Sequence, residues 1–309
     1  MAIKKKGEVC RKMARNKELT ANIILLIVAI IWGWGFVAGK QALTTLSPWA
    51  VLMYRFTMAA VLCMVFFGKR IASTPKSTAL RGCLIGTMQM CALAVQLIGL
   101  QYTTPAKQSF LCTAYVALVP FLSWLVLRKR PQAKAFGAGI IALAGLGLIS
   151  LKGGEGLALG FGDAMSLGFA VIFGLQIVLT GIFMKEDADS IQLSFFQFLA
   201  AGVLSAAVCI ATGTELTNFT GESLTGILFL GVLNTFAALI GQNIGQKYAA
   251  DTTASLILSL ESVFGFMFSV LYYGESVTWR MAAGGVLCFA AILINTVDRK
   301  GGLHEQKGS

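Results

Sequence analysis

Apolar runs of about twenty residues, separated by short polar links, follow one another from residue 21 to residue 297. A membrane-spanning helix needs about 20 predominantly apolar residues, so this pattern predicts a series of spans. Ten windows satisfy it: 21–39, 48–68, 80–100, 105–127, 134–151, 162–184, 190–211, 223–243, 252–273 and 279–297. No link is long enough for a separate soluble domain. We therefore expect an all-α integral membrane protein with ten transmembrane helices.

Composition agrees with this fold class and narrows the expected partners. The chain is 56% hydrophobic and only 13% charged, whereas a soluble domain carries about 25% charged residues. Its net charge of +11 does not indicate a nucleic-acid partner, because the basic residues lie in links and tails and do not form a basic face with stacking aromatics. The seven cysteines have no metal-type or disulfide-type spacing. The expected partners are the lipid bilayer and a small-molecule substrate, with no metal and no cofactor.

The basic residues are distributed unevenly between the two sides that these spans define. With the N-terminus inside, twenty of the 25 Lys and Arg residues fall on the inner side and four on the outer side, while Arg55 lies within a span. Lys and Arg are enriched in cytoplasmic loops. We expect a multi-pass protein of the cell membrane, the inner membrane of a bacterium. Both the basic tail 1–19 and the tail 298–309 are expected in the cytoplasm.

The second half of the chain resembles the first. A shift of about 142 residues lays segment 54–62 over segment 196–204. At a shift of 146 residues, Ala92, Leu93, Gln96, Ile98, Gly99 and Tyr102 fall on Ala238, Leu239, Gln242, Ile244, Gly245 and Tyr248. Each half holds five spans, an odd number, so the second half must enter the membrane from the opposite side. The prediction is two inverted five-helix repeats, 20–151 and 158–297, with a substrate site where they meet.

Three short motifs carry a resemblance to a known family: "AIIWGWGF" in span 1, "MYRF" in span 2 and "LESVFGFMFSVLYYGES" across span 9. In their order and spacing they resemble the EamA-like family of the drug/metabolite transporter superfamily, over about residues 20–297. This chain departs from the family pattern at Glu261–Ser262, where "EP" is frequent, and at Arg128–Lys129, where "GE" is expected. The resemblance implies a ten-span carrier that moves small metabolites and often exports amino acids or related solutes.

Polar and aromatic side chains inside the spans are the candidate lining of the substrate cavity. Polar groups within a membrane usually face the bundle interior, although hydrogen bonding between helices is the plainer alternative for each of them. Residues at i and i+2 of a helix point about 200° apart, so at most one of the two tryptophans in span 1 faces a cavity squarely. The candidates are Trp32, Trp34, Gln89, Gln96, Tyr115, Gln176, Asn234, Gln242 and Glu261.

Glu261 has a special position because it is the acid deepest within a span. A rise of about 1.5 Å per residue puts it near the midplane, at a depth within about 6 Å of that of Arg55. Two hypotheses follow. Paired with Arg55, the carboxylate is structural, and losing it would leave a buried cation without compensation. Unpaired, it is a site for a proton or for a substrate amine, and we favour this second hypothesis.

These features favour a secondary transporter that exports small polar metabolites such as amino acids by alternating access. An enzyme is not expected: the single histidine, His304, lies in the hydrophilic tail, and no second acid accompanies Glu261. A phosphate-binding G-x-x-x-x-G-K-[ST] motif is missing, so a gradient or facilitated exchange is preferred to ATP. The alternative is a membrane sensor or assembly partner that kept a transporter fold without transport. The chain is expected to act as a monomer or homodimer.

Overall fold

The structure is a computed structural model that describes residues 2–128, 160–185, 188–249, 257–275 and 278–297, with Ala254 and a few single residues between 137 and 148; side chains are described from residue 16 onward, apart from a few near the C-terminal end. The described residues form helices and connecting turns. In chain order the helices are α1 (Ala2–Ala42), α2 (Pro48–Ile71), α3 (Lys76–Leu100), α4 (Pro105–Cys112), α5 (Tyr115–Leu127), α6 (Phe161–Lys185), α7 (Ser190–Thr212), α8 (Gly221–Leu228), a π-helical segment (Phe229–Ala237), α9 (Ala238–Tyr248), α10 (Glu261–Tyr273) and α11 (Trp279–Val297).

Seven helical stretches in the described part of the chain are long and apolar enough to cross a membrane. They are Asn16–Ala42, Pro48–Ile71, Lys76–Leu100, Pro105–Leu127, Phe161–Met184, Ser190–Thr212 and Gly221–Tyr248. Two shorter apolar helices, Ile257–Tyr273 and Trp279–Ala291, follow. These nine stretches coincide with nine of the ten predicted spans, and the tenth, 134–151, falls mostly outside the described residues. The all-α membrane class is thus confirmed, whereas the count of ten helices stays a prediction.

Local sequence signals explain where several helices begin. Ser47 accepts a hydrogen bond from the N–H of Ala50 at the start of α2, and a proline follows it at the first helical position. Proline is favoured there because the first helical N–H groups have no partner within the helix. Thr220 and Ser223 form a reciprocal capping box at the start of α8. Each cap satisfies backbone groups that would otherwise be unpaired near the membrane.

Contacts between helix ends define two opposite ends of the bundle. We call the end of the bundle that holds the last residues of α1 the distal end, and the opposite end the proximal end. At the distal end, Lys40 near the end of α1 donates to the carbonyl of Leu100, the last residue of α3, at 2.9 Å. At the proximal end, Arg70 near the end of α2 forms an ion pair with Asp189, which precedes α7, at 2.5 Å. Helices α1 and α3 therefore run toward the distal end, and α2 runs toward the proximal end.

The helices of the second half follow the same two ends. Lys107 at the start of α4 forms an ion pair with Asp163 near the start of α6, at 2.7 Å, on the distal side. At the proximal end, the ammonium of Lys17 lies 5.7 Å from the ring centre of Tyr248, the last residue of α9. Thus α6 and the stretch from α8 to α9 run from the distal to the proximal end, and α7 runs in the reverse direction.

The proximal ion pair also involves the cap of α7. The Asp189 carboxylate accepts from the N–H groups of Ile191 and Gln192, at 2.9 and 3.2 Å, as well as from Arg70. Partial burial acts to raise the pKa of Asp189, but the hydrogen bonds from Arg70 and from these two N–H groups outweigh it, so its pKa lies below its usual value of 3.8. The carboxylate form is the one that holds α2 to α7 at this end.

Besides α2, whose dihedral angles at Phe67 are not helical, three of the predicted continuous spans are interrupted by breaks or by non-α backbone. The span from Pro105 to Leu127 is broken at Thr113–Ala114, between α4 and α5. The span from Gly221 to Tyr248 contains the π-segment, with hydrogen bonds spaced five residues apart. Hydropathy predicts where a span lies but does not detect such breaks, because the residues at the breaks are also apolar or small. A third break, at Leu260, immediately precedes α10.

Small residues bring helices into direct contact in the proximal half. At Gly82 of α3, a methyl group would lie 2.7 Å from the Cβ of Phe196 in α7, and at Gly86 it would overlap the carbonyl oxygen of Gln197. At Gly245 of α9, a methyl group would meet Leu25 of α1 at 2.5 Å. Glycine permits backbone approach of this kind between membrane helices. The distal half has contacts of the same kind, since a methyl group at Gly226 of α8 would lie 2.6 Å from the carbonyl oxygen of Ala38 in α1.

Candidate functional site

A cavity lies between the helices in the distal half of the bundle. Its empty volume, including the open space at its mouth, is about 560 Å³. Helices from both halves of the chain contribute to it. The residues that line it are Trp32, Gly35, Phe36, Arg55, Gln89, Leu93, Gln96, Leu97, Leu100, Gln108, Phe169, Phe173, Leu230, Asn234, Leu239 and Glu261.

Arg55 contributes a buried positive charge to the cavity wall. Its side chain comes from the distal part of α2 and is only 3% exposed. Its Nε donates to Oγ1 of Thr235 at 2.8 Å, and one terminal nitrogen donates to Oδ1 of Asn234 at 2.7 Å. Both acceptors belong to the π-segment and are neutral. Arg55 is therefore fixed in position without being neutralised, since no carboxylate of the described residues lies within 4.0 Å of it.

The π-segment is held in turn by the helix that faces it. The indole nitrogen of Trp32 in α1 donates to the carbonyl of Asn234 at 3.3 Å, and the Asn234 amide donates to the carbonyl of Ile31 at 3.3 Å. Thr235 Oγ1 donates to the carbonyl of Leu230, five residues earlier, at 2.6 Å. Two of these bonds are accepted by backbone carbonyls of the π-segment, and the third by a carbonyl of α1. They couple the irregular backbone of the π-segment to the position of Arg55.

Glu261 contributes the opposite charge. It is the first residue of α10 and is 5% exposed. No lysine or arginine nitrogen in the described part of the chain lies within 4.0 Å of its carboxylate. Its titratable neighbours are Tyr115, the first residue of α5, and Cys112, the last residue of α4. The Tyr115 hydroxyl faces Glu261 without reaching hydrogen-bond geometry.

Gln108 supplies a neutral acceptor to the same cavity. Its Nε2 donates to the carbonyl of Gln96 at 2.8 Å and, more weakly, to Oγ of Ser166 at 3.4 Å. A backbone carbonyl accepts only, so this contact fixes which end of the amide is the nitrogen. The remaining atom, Oε1, has no hydrogen-bond partner and is fully buried. Gln108 thus presents an oriented carbonyl oxygen that nothing in the described structure satisfies.

Aromatic rings form one wall of the cavity around Phe173. The ring of Trp32 contacts it edge-to-face at 5.8 Å between ring centres, and Tyr115 does so at 5.1 Å. Phe169 stacks on Phe173 at 4.9 Å. Such packed rings make a rigid apolar surface. The cavity therefore combines an apolar wall, two separated opposite charges and several amides, and it offers a bound solute complementary contacts of each kind.

Comparison with known proteins agrees with this architecture. The model of the EamA-like transporter family matches the chain twice, over residues 19–151 and 160–297. The chain belongs to the EamA-like transporter family. An uncharacterized transporter of Archaeoglobus fulgidus is 33% identical over 278 residues, which cover 90% of this chain and 86% of that protein. A second uncharacterized transporter of the same organism is 22% identical over 90% of this chain and 98% of its own length.

A solved protein structure also shares the fold of this EamA-like chain. It has a TM-score of 0.69 and covers 94% of this chain and 99% of its own, at 18% sequence identity. This likeness concerns the fold alone. The family match and the apolar helices identify the chain as a multi-pass membrane protein of a transporter family.

Within this EamA-like transporter, the predicted site residues fall into two groups. The first group lines the cavity: Trp32, Arg55, Gln89, Gln96, Asn234 and Glu261. The second group lies outside the lining: Trp34, Tyr115, Gln176 and Gln242. Tyr115 adjoins the cavity through Glu261, whereas Gln176 donates to Thr180 within its own helix at 3.1 Å. Gln242 is completely buried, and neither of its polar side-chain atoms has a partner among the residues that the structure describes.

The two tryptophans of the EamA-like chain occupy different surroundings. Trp32 faces the cavity, while Trp34 packs edge-to-face against Phe229, Phe268 and Tyr272, with ring centres 5.3 to 6.4 Å apart. The angular separation of positions i and i+2 explains the difference. Sequence reasoning missed Gln108, although the same rule that selected the other amides, a polar residue within an apolar span, would have found it.

Proposed function

We propose that this EamA-like transporter moves a small zwitterionic metabolite, such as an amino acid, and that the cavity between its halves is the substrate site. One observation carries the proposal: Arg55 and Glu261 line a single cavity without forming an ion pair with each other. Buried charges without ionic partners are costly in a membrane. A solute that carries both a carboxylate and an ammonium group would compensate both charges at once.

Arg55 is suited to the carboxylate end of such a solute. A guanidinium has five N–H donors in a planar fork, and only two of its nitrogens are engaged, by Thr235 and Asn234. The remaining donors match the two oxygens of a carboxylate. Because its two protein partners are neutral, Arg55 keeps its full charge for the substrate.

Glu261 is suited to the cationic end or to a proton. A buried carboxyl that lacks a cationic partner either binds a proton or binds a cation. The two occupants compete for one group, which is the simplest way to couple the movement of a solute to a proton gradient. The structure supports this second hypothesis of the sequence analysis over the structural Arg55–Glu261 pair, since Arg55 is held by the π-segment.

Alternating access by two inverted repeats is the proposed mechanism. Helix α3 runs toward the distal end, and its counterpart in the second half, from α8 to α9, runs toward the proximal end. The same reversal relates α2 and α7. A cavity that is lined mainly from the distal half of the bundle fits one of two exchangeable states. We place the proximal end in the cytoplasm of a bacterial cell and propose export as the direction.

Reconstituted protein tests the proposal. A thermal-shift screen of amino acids, amines and organic acids should single out a zwitterion, since a ligand of the native state raises apparent stability. That solute is then measured for flux in liposomes, with and without a pH gradient. Glu261→Gln should keep the native melting temperature but lose gradient-driven flux. The matched control is Glu222→Gln, which removes an exposed carboxylate at the start of α8.

Three results would reject parts of the proposal. Selection of amines or organic acids in place of zwitterions would remove the joint role of Arg55 and Glu261. Equal gradient-driven flux in Glu261→Gln and Glu222→Gln would remove the coupling role. Misfolding of Glu261→Gln that is rescued by Arg55→Gln would restore the structural pair.

A further inference from the structure

Six amide side chains in the proximal half of the bundle have a buried polar atom that lacks a partner within the described structure: Asn22 of α1, Gln176 of α6 and four on α7 and α9. The four on α7 and α9 are Gln197, Gln242, Asn243 and Gln246. The carboxamide oxygens of all four lack a donor within the described structure, and Gln242 also lacks a partner for its nitrogen. Gln197 and Gln242 are completely buried. Native proteins satisfy the large majority of buried polar atoms, so six exceptions in one region require an explanation.

The same four residues are the repeat counterparts of residues that line the distal cavity. At the shift of 146 residues, three cavity residues of α3 have counterparts in α9: Gln96, Leu97 and Leu100 correspond to Gln242, Asn243 and Gln246. At the shift of 142 residues, Arg55 corresponds to Gln197. Repeat symmetry and the absence of hydrogen-bond partners are independent observations. The four amides of α7 and α9 meet both criteria, whereas Asn22 and Gln176 only lack hydrogen-bond partners.

We infer that Gln197, Gln242, Asn243 and Gln246 line a second access route. This route connects the distal cavity to the proximal face and is closed in this structure. The inference rests on the proposed alternating access and extends it by naming the residues of the closed route. In the exchanged state these amides would face a hydrated passage and a polar solute, and their free oxygens would find donors there. Their burial here is the cost of closing the route in this state.

The placement of α9 fits a continuous path. Leu239 lines the cavity, and Gln242 and Gln246 follow at intervals of three and four residues toward the proximal end. Residues at this spacing lie on one face of a helix. Asn243 is joined to α7 by a 2.7 Å hydrogen bond to Ser194, and Gln197 donates to the cavity residue Gln89 at 3.4 Å. The amides thus extend from the floor of the cavity toward the helix ends.

The route would not be a copy of the distal one. Leu97 and Leu100 on the distal side correspond to Asn243 and Gln246 on the proximal side, so two apolar positions become amides. A more polar proximal lining suits entry of a hydrated solute from that face. It also explains why closure leaves unsatisfied atoms in this half.

Thiol accessibility tests the route without requiring a known substrate. In a variant that lacks the seven native cysteines, Gln96→Cys and its counterpart Gln242→Cys are introduced singly. The control is Ile240→Cys, an apolar position of the same helix that is 9% exposed and points about 200° away from position 242. Right-side-out and inverted membrane vesicles are treated with an impermeant methanethiosulfonate. The thiol at position 96 should react from the distal face, and the thiol at 242 from the proximal face.

A second perturbation separates an opening route from local unfolding. Arg70→Ala removes the exposed ion pair that joins α2 to α7 at the proximal end. It should accelerate labelling at position 242 by up to about fivefold, which corresponds to about 1 kcal/mol, the upper value for an exposed pair. It should slow labelling at position 96, because both rates depend on one equilibrium, and leave position 240 unchanged. Gln246→Cys replaces Gln242→Cys if the latter fails to fold.

The inference is overturned if position 242 labels no faster than position 240. It is equally overturned if positions 96 and 242 label from the same face, or if Arg70→Ala accelerates all three positions alike. Flux is measured separately. Proximal labelling without flux of any zwitterion would support the route and reject the proposed substrate, whereas flux without proximal labelling would support the substrate and reject the route.

Discussion

Gly35 offers a sharp test of how the Arg55 site is held. A methyl group at this position of α1 would overlap the side-chain nitrogen of Asn234. The far end of a side chain normally moves aside at little cost. Here it is held at both sides, because the Asn234 oxygen accepts from Arg55 at 2.7 Å and its nitrogen donates to the carbonyl of Ile31 at 3.3 Å. Gly35→Ala must therefore displace a group that positions the buried cation.

The size of the effect follows from the bond that is lost. A hydrogen bond to a charged group contributes about 1.5–3 kcal/mol in soluble proteins, while hydrogen bonds between membrane helices average about 0.6 kcal/mol and reach about 1.7. We expect Gly35→Ala to lower the unfolding free energy by about 1–2 kcal/mol. At about 2–4 °C per kcal/mol for a chain above 150 residues, the melting temperature should fall by several degrees.

The assay is thermal unfolding in detergent, and the control is an alanine substitution at a glycine that has no close neighbours. A methyl group at Gly181 of α6 would meet no atom within 4 Å, so Gly181→Ala should leave the melting temperature equal or slightly higher, because alanine favours a helix. In an Asn234→Ala background the cost of Gly35→Ala should nearly disappear. An equal loss with and without Asn234, or equal behaviour of the two glycine variants, would refute the reasoning.

Three further predictions concern the two ends and the cavity. In a cysteine-free background, Ser73→Cys should react with impermeant thiol reagents only after lysis and Asn218→Cys from outside the cell; reaction of both from one side would contradict the topology. Asp189 has a lowered pKa, so its pairing with Arg70 stabilises the fold fully above its unfolded pKa of about 4, and this contribution is lost as the pH falls through the lower folded value. The difference in melting temperature between Asp189→Asn and the native chain should be constant from about pH 8 to 5, begin to shrink near pH 4 and vanish only below the folded pKa of Asp189; a difference that does not shrink in acid would exclude the charge as its cause. Gln108→Leu should raise the Kd of the zwitterion found in the screen by about five- to tenfold, the loss of one hydrogen bond worth about 1 kcal/mol or slightly more, as measured by ligand titration of the melting temperature; an unchanged Kd would remove Gln108 from the site.

Hydropathy was sufficient to place most helices. The predicted spans 48–68 and 190–211 differ from α2 (Pro48–Ile71) and α7 (Ser190–Thr212) by no more than three residues at either end. Length and apolar character determine a span almost alone, because backbone groups in lipid must be satisfied within the segment. The extension of α1 back to Ala2 was not predicted, since the charged tail lacks the apolar signal and was described only by its composition.

The partner of Arg55 was the main uncertainty that sequence could not resolve. The rise per residue gave similar depths for Arg55 and Glu261, but depth along the membrane does not give the direction in which a side chain points around its helix. The structure directs Arg55 to Asn234 and Thr235 instead. That choice depends on the π-segment, which changes the angular position of residues without changing their hydropathy. Gln108 and Asn234 illustrate the same limit: the sequence marks both as polar, and only packing shows that both ends of the Asn234 amide are bonded while the Gln108 oxygen has no partner in the described structure.

The directions of the side chains beyond the π-segment depend on how many residues the segment contains, as well as on which residues they are. Hydrogen bonds spaced five residues apart place more residues in each turn than an α-helix holds. A one-residue insertion into an α-helix has the same geometric effect. Removing one codon within Phe229–Ala237 would turn everything beyond it by about 100°, the angle of one residue in an α-helix. Asn234 and the face of α9 that carries Gln242 could then no longer both keep their present directions. Length variation, which loops accept freely, is therefore forbidden at this point inside the membrane.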